Sequence, residues 1–425
     1  MHRDFFIFAG NPFYRDFLIC LLLATQYLVI PITYIWMKIN LFDDVSWSTL
    51  RPLTFTRPVA DLRLGILTIA GKWENYAAHT PGYVTAPYLA VKYPPLPDAD
   101  TFVNGAVCPT DKLFTAISNI HNGEVLMRGN LIIAYKTSAG EMPGLAEVMA
   151  FRPVFFSGTF THVVYPEDIF LNNDRQIRAD FELLTRGRTS GSLSSTNTVL
   201  GDQIFVEEGA GAECSTFNTL NGPVYLGRNA QVWEGAHIRG SFALCENSQV
   251  KMGSKIYGQT TIGPFSRVGG EINNAVIWGY SSKGHEGYLG NSVMGQWCNI
   301  GADSNNSNLK NNYANVKLWD YGRKSFRNTE LQFCGLIMAD HAKCGINTMF
   351  NTGTVVGVSA NVFGAGYPEN FVPDFTWGMG KESYFLNKMF ETTCKVFERK
   401  NTDFNQVEKD ILSAIFKLTE IYRHS

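Results

Sequence analysis

The residue types best suited to chemistry gather in one stretch of the chain. Ser282-Lys-Gly-His-Glu-Gly-Tyr-Leu-Gly290 is followed by Cys298-Asn-Ile-Gly-Ala302 and then by Asn305-Asn-Ser-Asn-Leu-Lys310. His285 stands among glycines beside Lys283, and a neutral imidazole there can take a proton from an amine or alcohol nucleophile, because its ordinary pKa lies near working pH. His341, in Ala339-Asp-His-Ala342, is a second candidate base, read first as a structural partner of Asp340. The remaining histidines, His79, His121, His162, His237 and His424, read as structural. A zinc hydrase is discounted, since its three ligands should include two close in sequence, whereas His237, His285 and His341 lie 48 and 56 residues apart.

The element that must position this stretch announces itself by a six-residue rhythm. Leu226, Val232, Ile238, Leu244, Val250, Ile256, Ile262 and Val268 recur at that interval, a period that fits neither a helix nor an ordinary strand. Four residues after each of the first seven stand Ala230, Ala236, Phe242, Ser248, Ser254, Thr260 and Ser266, small at six of seven places. A chain that buries one aliphatic residue and then turns over a small one is winding the flat faces of a parallel β-helix, three faces to a turn. The rhythm returns at Cys344, Phe350, Val356 and Val362. His285 falls where it breaks, which is where a coil re-aims side chains outward. The segment from Ala302 to Phe326 is too polar for coil wall and reads as a long functional excursion.

Elsewhere the chain reads as further, different units. With 425 residues and 45% apolar content, two cores are expected. Residues 37–195 alternate apolar runs such as Asn130-Leu-Ile-Ile-Ala134 with helix-like stretches, the pattern of an α/β sheet domain. The polar run 185–198 is the linker, 196–380 the coil, and 381–425 a pair of helices expected to cover the coil's open end. Phe17 to Met37 carries no charge, yet Pro31 interrupts it, so residues 1–36 are read as an extension outside the fold. Lys plus Arg total 36 against 38 Asp plus Glu, with no basic block, which argues against a nucleic-acid partner. Eight scattered cysteines with no C-x-x-C suit a reducing compartment, hence a cytoplasmic location.

The stretch from Gly284-His285 through Asn308 resembles the acetyltransferase half of the bifunctional GlmU enzymes, with G-H-x-x-Y-L-G followed by N-I-G-A and a later Asn near a basic residue. Pro52-Leu-Thr-Phe-Thr-Arg-Pro58, Asn221-Gly-Pro-Val-Tyr225, Gly269-Gly-Glu-Ile-Asn-Asn274 and Phe333-Cys-Gly-Leu-Ile-Met338 are similar to a divergent GlmU-like branch, over residues 37–400. The resemblance implies a Rossmann-like nucleotidyltransferase domain joined to a left-handed hexapeptide-repeat β-helix. It implies His285 as the base, Tyr288 and Asn299 as sugar-phosphate contacts, Asn308 as the residue orienting the amine, and Lys310 near the phosphate. It further implies acetyl-CoA as acyl donor, glucosamine 1-phosphate as acceptor, UTP and Mg2+ for uridylyl transfer, and a homotrimer whose acyl-donor cleft lies between coils.

Departures from that family are specific. The Arg and Lys pair that meets the sugar phosphate is replaced by Gly269, Asn273 and Asn274, and the Gly-rich triphosphate loop by Phe42 to Pro58. Arg51 and Arg57 are the cations offered there for phosphate, or else they are surface charges. Phe102-Val-Asn-Gly-Ala-Val-Cys108 lacks the family's metal-binding Asp, and Asn172 alone resembles its second metal contact. Two alternatives therefore stand beside the GlmU-like reading: a nucleotidyltransferase using another sugar or nucleotide such as dTTP, and a non-catalytic trimer that binds a nucleotide sugar. For the trimer, Trp233, Tyr257 and Trp278 are expected half-exposed on the coil's flat sides.

Overall fold

The computed structural model describes residues 36–380 and 382–423. The uncharged run from Phe17 falls almost wholly outside them. Among the described residues no helix is long and apolar enough to cross a membrane.

The first domain is a six-stranded mixed sheet: β1 (Ile39–Phe42), β2 (Gly82–Val84), β3 (Thr101–Asn104), β4 (Glu124–Arg128), β5 (Leu131–Lys136) and β6 (Arg152–Phe155), in the order β2-β1-β3-β5-β4-β6. β2, β1 and β3 run parallel, and β5 enters antiparallel between β3 and β4. The crossover α1 (Ile69–Ala77) starts where Thr68 accepts a hydrogen bond from Gly71 N at 3.0 Å, and α2 (Asp111–Ser118) where Thr110 accepts from Leu113 N at 3.2 Å. Each cap satisfies a backbone donor that the helix itself cannot. The domain closes with α3 (Asn173–Thr185), which lies against the coil.

The coil is a parallel β-helix with three faces. Its first face carries Thr198–Leu200, Thr216–Asn218, His237–Arg239 and Lys255–Tyr257, then the leading halves of Glu271–Ile277 and Tyr288–Met294, with Asn305–Asn306 paired to Met349–Phe350 farther along. Strands such as Val224–Leu226, Phe242–Leu244 and Thr260–Ile262 make the second face, and Gln231–Val232, Gln249–Val250, Arg267–Val268, Ser282–Lys283, Asn299–Ile300 and Lys343–Cys344 the third. All eight residues of the six-residue rhythm are buried in one core. The small residues do more than leave room. Ser248, Ser266 and Ser281 each donate a 2.7 Å hydrogen bond to a carbonyl of the next turn, at Gly263, Trp278 and Gly295 respectively, so the corner hydroxyls stitch successive turns together.

Three expectations are corrected. The helices α4 (Leu386–Glu398) and α5 (Gln406–Leu418) lie along a flank of the coil as well as near its last turn. Phe397 stacks on Trp297 at 3.9 Å, Lys400 donates to Phe265 O at 2.9 Å, and Phe416 meets Phe375 at 5.1 Å. What drives them there is a column of corner aromatics left uncovered by the turns, rather than an open strand edge. Trp278 is not half-exposed but 1% exposed, since the first domain packs over it. The polar excursion begins later than its composition suggested: Asn305–Asn306 is coil wall, and the chain leaves only afterwards to form the hairpin Lys317–Asp320/Ser325–Asn328.

The two halves share one core. Ile39, Leu41 and Val103 of the sheet belong to the same apolar cluster as Val276, Val293 and Val355 of the coil and Ile411 and Ile415 of α5. Polar ties reinforce it: Asn173 accepts from Gly65 N at 2.7 Å and donates to Gln259 O at 2.8 Å, while Thr261 donates to Gly65 O at 3.0 Å.

Candidate functional site

Two places have the chemistry to be sites, and the coil's first face is the better assembled. Parallel register sets Tyr288 beside Glu271 and Gly290 beside Asn273. Asn308 follows Asn305–Asn306 on the next turn, and its Nδ2 donates to the Tyr288 hydroxyl at 2.9 Å and to Asn291 Oδ1 at 2.7 Å. Asn273 Nδ2 approaches the same hydroxyl at 3.4 Å. Tyr288 and Asn308 are thus brought together as expected, with Asn273 and Asn291 completing a partly buried amide cluster. Asn291 adopts a left-handed φ of 47°, a conformation Asn tolerates better than most residues.

His285 lies at the corner between the third face and this cluster, exposed, and among the described residues no partner holds its ring. Its backbone is fixed instead. Lys283, 2% exposed, stands where the rhythm would place an aliphatic side chain, and its ammonium donates to His285 O at 2.6 Å and Gly269 O at 2.9 Å. Burial pushes the Lys283 pKa down to about 8, because an ammonium loses hydration that two carbonyls only partly replace. A free imidazole on a pinned loop beside an amide cluster can accept a proton from a nucleophile bound across that cluster.

The other expected members go elsewhere. Asn299 lies on the third face, in register with Ser282 and Lys343, and does not join Tyr288 within one chain. Lys310 turns back on its own loop, donating to Asn315 O at 3.1 Å. The six-residue rhythm already held the first result: Tyr288 and Asn306 are a full eighteen residues apart, while Asn299 is eleven from Tyr288.

The second place is the carboxyl edge of β1 and β3, where nucleotides bind in open α/β sheets. Here both cations offered for phosphate are engaged. Arg57 is buried and ion-paired to Asp340 of the coil and, at 3.0 Å, to Asp61, with its guanidinium 4.9 Å from the Trp278 ring. Its charge is neutralised inside the fold, which corrects the phosphate role read for it. Arg51 lies over the rings of Trp47 at 4.3 Å and Phe55 at 5.2 Å; burial lowers its pKa.

Mg2+ does not fit this edge. Asp44 accepts from Ser46 through one oxygen and from Asn104 Nδ2 at 2.8 Å through the other. Asp43 accepts from Val59 N at 2.8 Å and Thr85 Oγ1 at 2.5 Å. Burial also lifts the Asp43 pKa to about 7, so its carboxyl favours a proton, and a magnesium site needs ionised oxygens with open coordination. Asn172 is no metal contact either: its amide donates to Asp168 O at 2.8 Å, within the turn that joins two helices. Among the described residues no group of three or more His, Cys, Asp or Glu is placed to hold a metal.

The sheet order, with β5 antiparallel between β3 and β4, belongs to a residue range that can be matched directly. Residues 39–189 match the sugar nucleotidyl transferase family. A bifunctional protein GlmU from Methanocaldococcus jannaschii is 32% identical over 87 residues, covering 20% of this chain and 21% of that protein, so the chain aligns with about a fifth of the relative's length. Both matches are partial, the first confined to residues 39–189 and the second to 87 residues. Among solved structures, a UDP-N-acetylglucosamine acyltransferase from Francisella novicida is 11% identical, covering 55% of this chain and 79% of that one, with a TM-score of 0.31. A hexapeptide transferase family protein from Anaplasma phagocytophilum is 14% identical, covering 54% and 92%, with a TM-score of 0.17. The coil's own strand ladder, rather than these two likenesses, defines its fold.

Proposed function

We propose that the chain is a GlmU-like transferase that moves an acetyl group from acetyl-CoA to the amine of glucosamine 1-phosphate on the first face of the coil. The observation that carries this reading is the cluster joining Tyr288, Asn308, Asn273 and Asn291, whose Tyr288 follows the exposed His285 by three residues along the chain. The amine nitrogen attacks the thioester carbonyl, His285 takes the amine proton, the carbon–sulfur bond breaks and CoA leaves as the thiol. Amide donors around Tyr288 position the sugar, a contribution that resides in orientation as much as in contact. The acyl-donor cleft lies between neighbouring coils in a homotrimer, as the resemblance implies. The seven free cysteines among the described residues are consistent with work in the cytoplasm.

The family match of the first domain supports joining the product to a nucleotide, UTP in the GlmU-like reading and dTTP in the alternative. One observation favours a quieter role. Arg57 is spent on Asp340 and both Asp43 and Asp44 are fully engaged, so this domain is read as holding a nucleotide sugar without turning it over.

The test is to supply the protein with acetyl-CoA and glucosamine 1-phosphate and follow free CoA, then to add each nucleoside triphosphate and follow pyrophosphate separately. His285→Ala should lower CoA release by about 10²–10⁴-fold, the usual worth of general-base assistance. Near wild-type release by a properly assembled His285→Ala protein sinks the base assignment. A fully active monomer in light scattering at micromolar concentration sinks the trimer.

A further inference from the structure

On the third face, away from the Tyr288 cluster, a cleft of about 340 Å³ runs between the coil and the end of α4. The ladder stacks Arg267, Ser282, Asn299 and Lys343 at one register position on four successive turns. Their partners Val268, Lys283, Ile300 and Cys344 point into the core, so these four side chains face outward, over three strand spacings or about 14 Å. Across from them stand Arg399 and Lys400.

The charge here is one-sided. No carboxylate lines the cleft, and among the described residues none of Arg267, Lys343, Arg399 or Lys400 is in a salt bridge. The two lysines are held by backbone carbonyls only, Lys343 by His341 O and Lys400 by Phe265 O, each at 2.9 Å. Burial lowers the pKa of both, and for Lys400 the nearby Arg267 and Arg399 add to the effect. Like charges gathered in a partly desolvated cleft repel one another unless an anion sits among them. The cleft is also pre-shaped: Tyr280 stacks on Trp297 at 4.2 Å and Trp297 on Phe397 at 3.9 Å, which fixes α4 against the coil.

We propose that this cleft binds the polyphosphate chain of a small ligand, at a site separate from the acyl-transfer face. The length favours a chain over a single phosphate, because Arg267 and Lys343 stand at opposite ends of the four rungs, about 14 Å apart, and with Arg399 and Lys400 across the cleft they cannot all reach one tetrahedral anion. Guanidinium forks from Arg267 and Arg399 suit phosphate oxygens, with Ser282 and Asn299 supplying neutral donors between them. Two sources share this chemistry, a free inorganic polyphosphate and a nucleoside polyphosphate. The proposal does not depend on the acetyl-transfer reading.

The experiment is calorimetric titration of the full chain with inorganic tripolyphosphate and, separately, with UTP. It is repeated on Arg267→Gln/Arg399→Gln, two exposed positions whose replacement leaves the core untouched. Saturable tripolyphosphate binding that weakens at least about 10-fold in the double variant is the expected result, since charge-assisted hydrogen bonds are lost at both sites. The ligand-induced rise in melting temperature should vanish with it, while the ligand-free melting temperature stays put. UTP binding that is lost in the double variant and tighter than tripolyphosphate assigns a nucleotide; binding no tighter assigns the bare chain. His285→Ala should leave this binding unchanged, which separates its failure from failure of the acyl-transfer reading. No saturable binding of either probe at millimolar concentration, or equal affinity in the double variant, overturns the proposal.

Discussion

Removing the Asp340 carboxylate should unlock the first domain from the coil. Asp340 and Arg57 keep only 3% and 4% of their side chains exposed, and one Asp340 oxygen accepts from both Arg57 and, at 2.7 Å, Thr56 Oγ1, while the other accepts from Gln296 N at 2.8 Å. Burial alone would raise the Asp340 pKa, but the Arg57 charge and these donors outweigh it and hold it below the ordinary value. Asp340→Ala leaves Arg57 with Asp61 alone and strands two further donors in the interior, and since breaking a buried pair outright costs about 3–5 kcal/mol, the loss should reach at most that range. Asp340→Asn keeps an acceptor and should cost less. The double variant Arg57→Met/Asp340→Ala removes the half-paired charge and should recover part of the loss, a non-additivity of about 0.5–3 kcal/mol. Urea unfolding followed by tryptophan fluorescence reads the effect directly, because Trp278 lies under Arg57. If Asp340→Ala unfolds at the wild-type midpoint, or if Arg57→Ala keeps full stability and loses only nucleotide binding, the lock is refuted and Arg57 returns to phosphate recognition.

Two further outcomes follow from side chains with defined partners. Burial pushes the His341 pKa down to about 3 although Asp340 opposes the shift. The unfolded chain, with an ordinary value of about 6.5, therefore binds the proton first, and the His341 contribution is full above about pH 6.5 and lost as pH falls towards 3. Denaturation midpoints against pH should fall less steeply for His341→Asn than for the wild type over that window, and parallel curves would dismiss the effect. Tyr288→Phe removes the hydroxyl that accepts from Asn308 at 2.9 Å; acetyl transfer should drop several-fold, for a hydrogen bond worth about 1 kcal/mol, with the melting temperature lowered by no more than about 2–4 °C. An unaltered rate would take Tyr288 out of the site.

What was legible in the sequence followed from how few things a coil must satisfy. Its interior is filled one aliphatic residue per face, so Leu226 through Val268 read directly as an inside, and Cys344 through Val362 resumed the same count after the excursion. The count also holds the faces apart, and it separates Asn299 from Tyr288 more reliably than family spacing does. The outside is different. The rhythm says that Trp278 lies off the core-facing positions, but not that a sheet domain arrives from more than two hundred residues upstream to bury it. Arg57 was misread for the same reason: its partner Asp340 is 283 positions away, and no local pattern pairs them.

That misreading bears on how the two halves divide their labour. A phosphate-binding cation must stay available, whereas Arg57 is committed to Asp340, and the residues after Asp340 lead directly to His341, which packs beside Trp297 and Phe397 of the coil–helix flank. Of the segment that replaces a Gly-rich loop, the second half from Pro52 to Pro58 is accordingly wholly buried, while Phe42 to Arg51 is mostly half-buried. A loop that must open to admit a triphosphate keeps few buried contacts, since mobile elements are drawn from the least stable parts of a fold. This loop has been turned into cement between domain and coil. Meanwhile Tyr288, Asn273, Asn291 and Asn308 on the first face bond one another, and among the described residues the ring of His285 has no side-chain or backbone partner. The two side chains therefore differ in what they can offer a ligand: the exposed imidazole of His285 can meet one without breaking a contact of the fold, and the buried, carboxylate-paired guanidinium of Arg57 cannot.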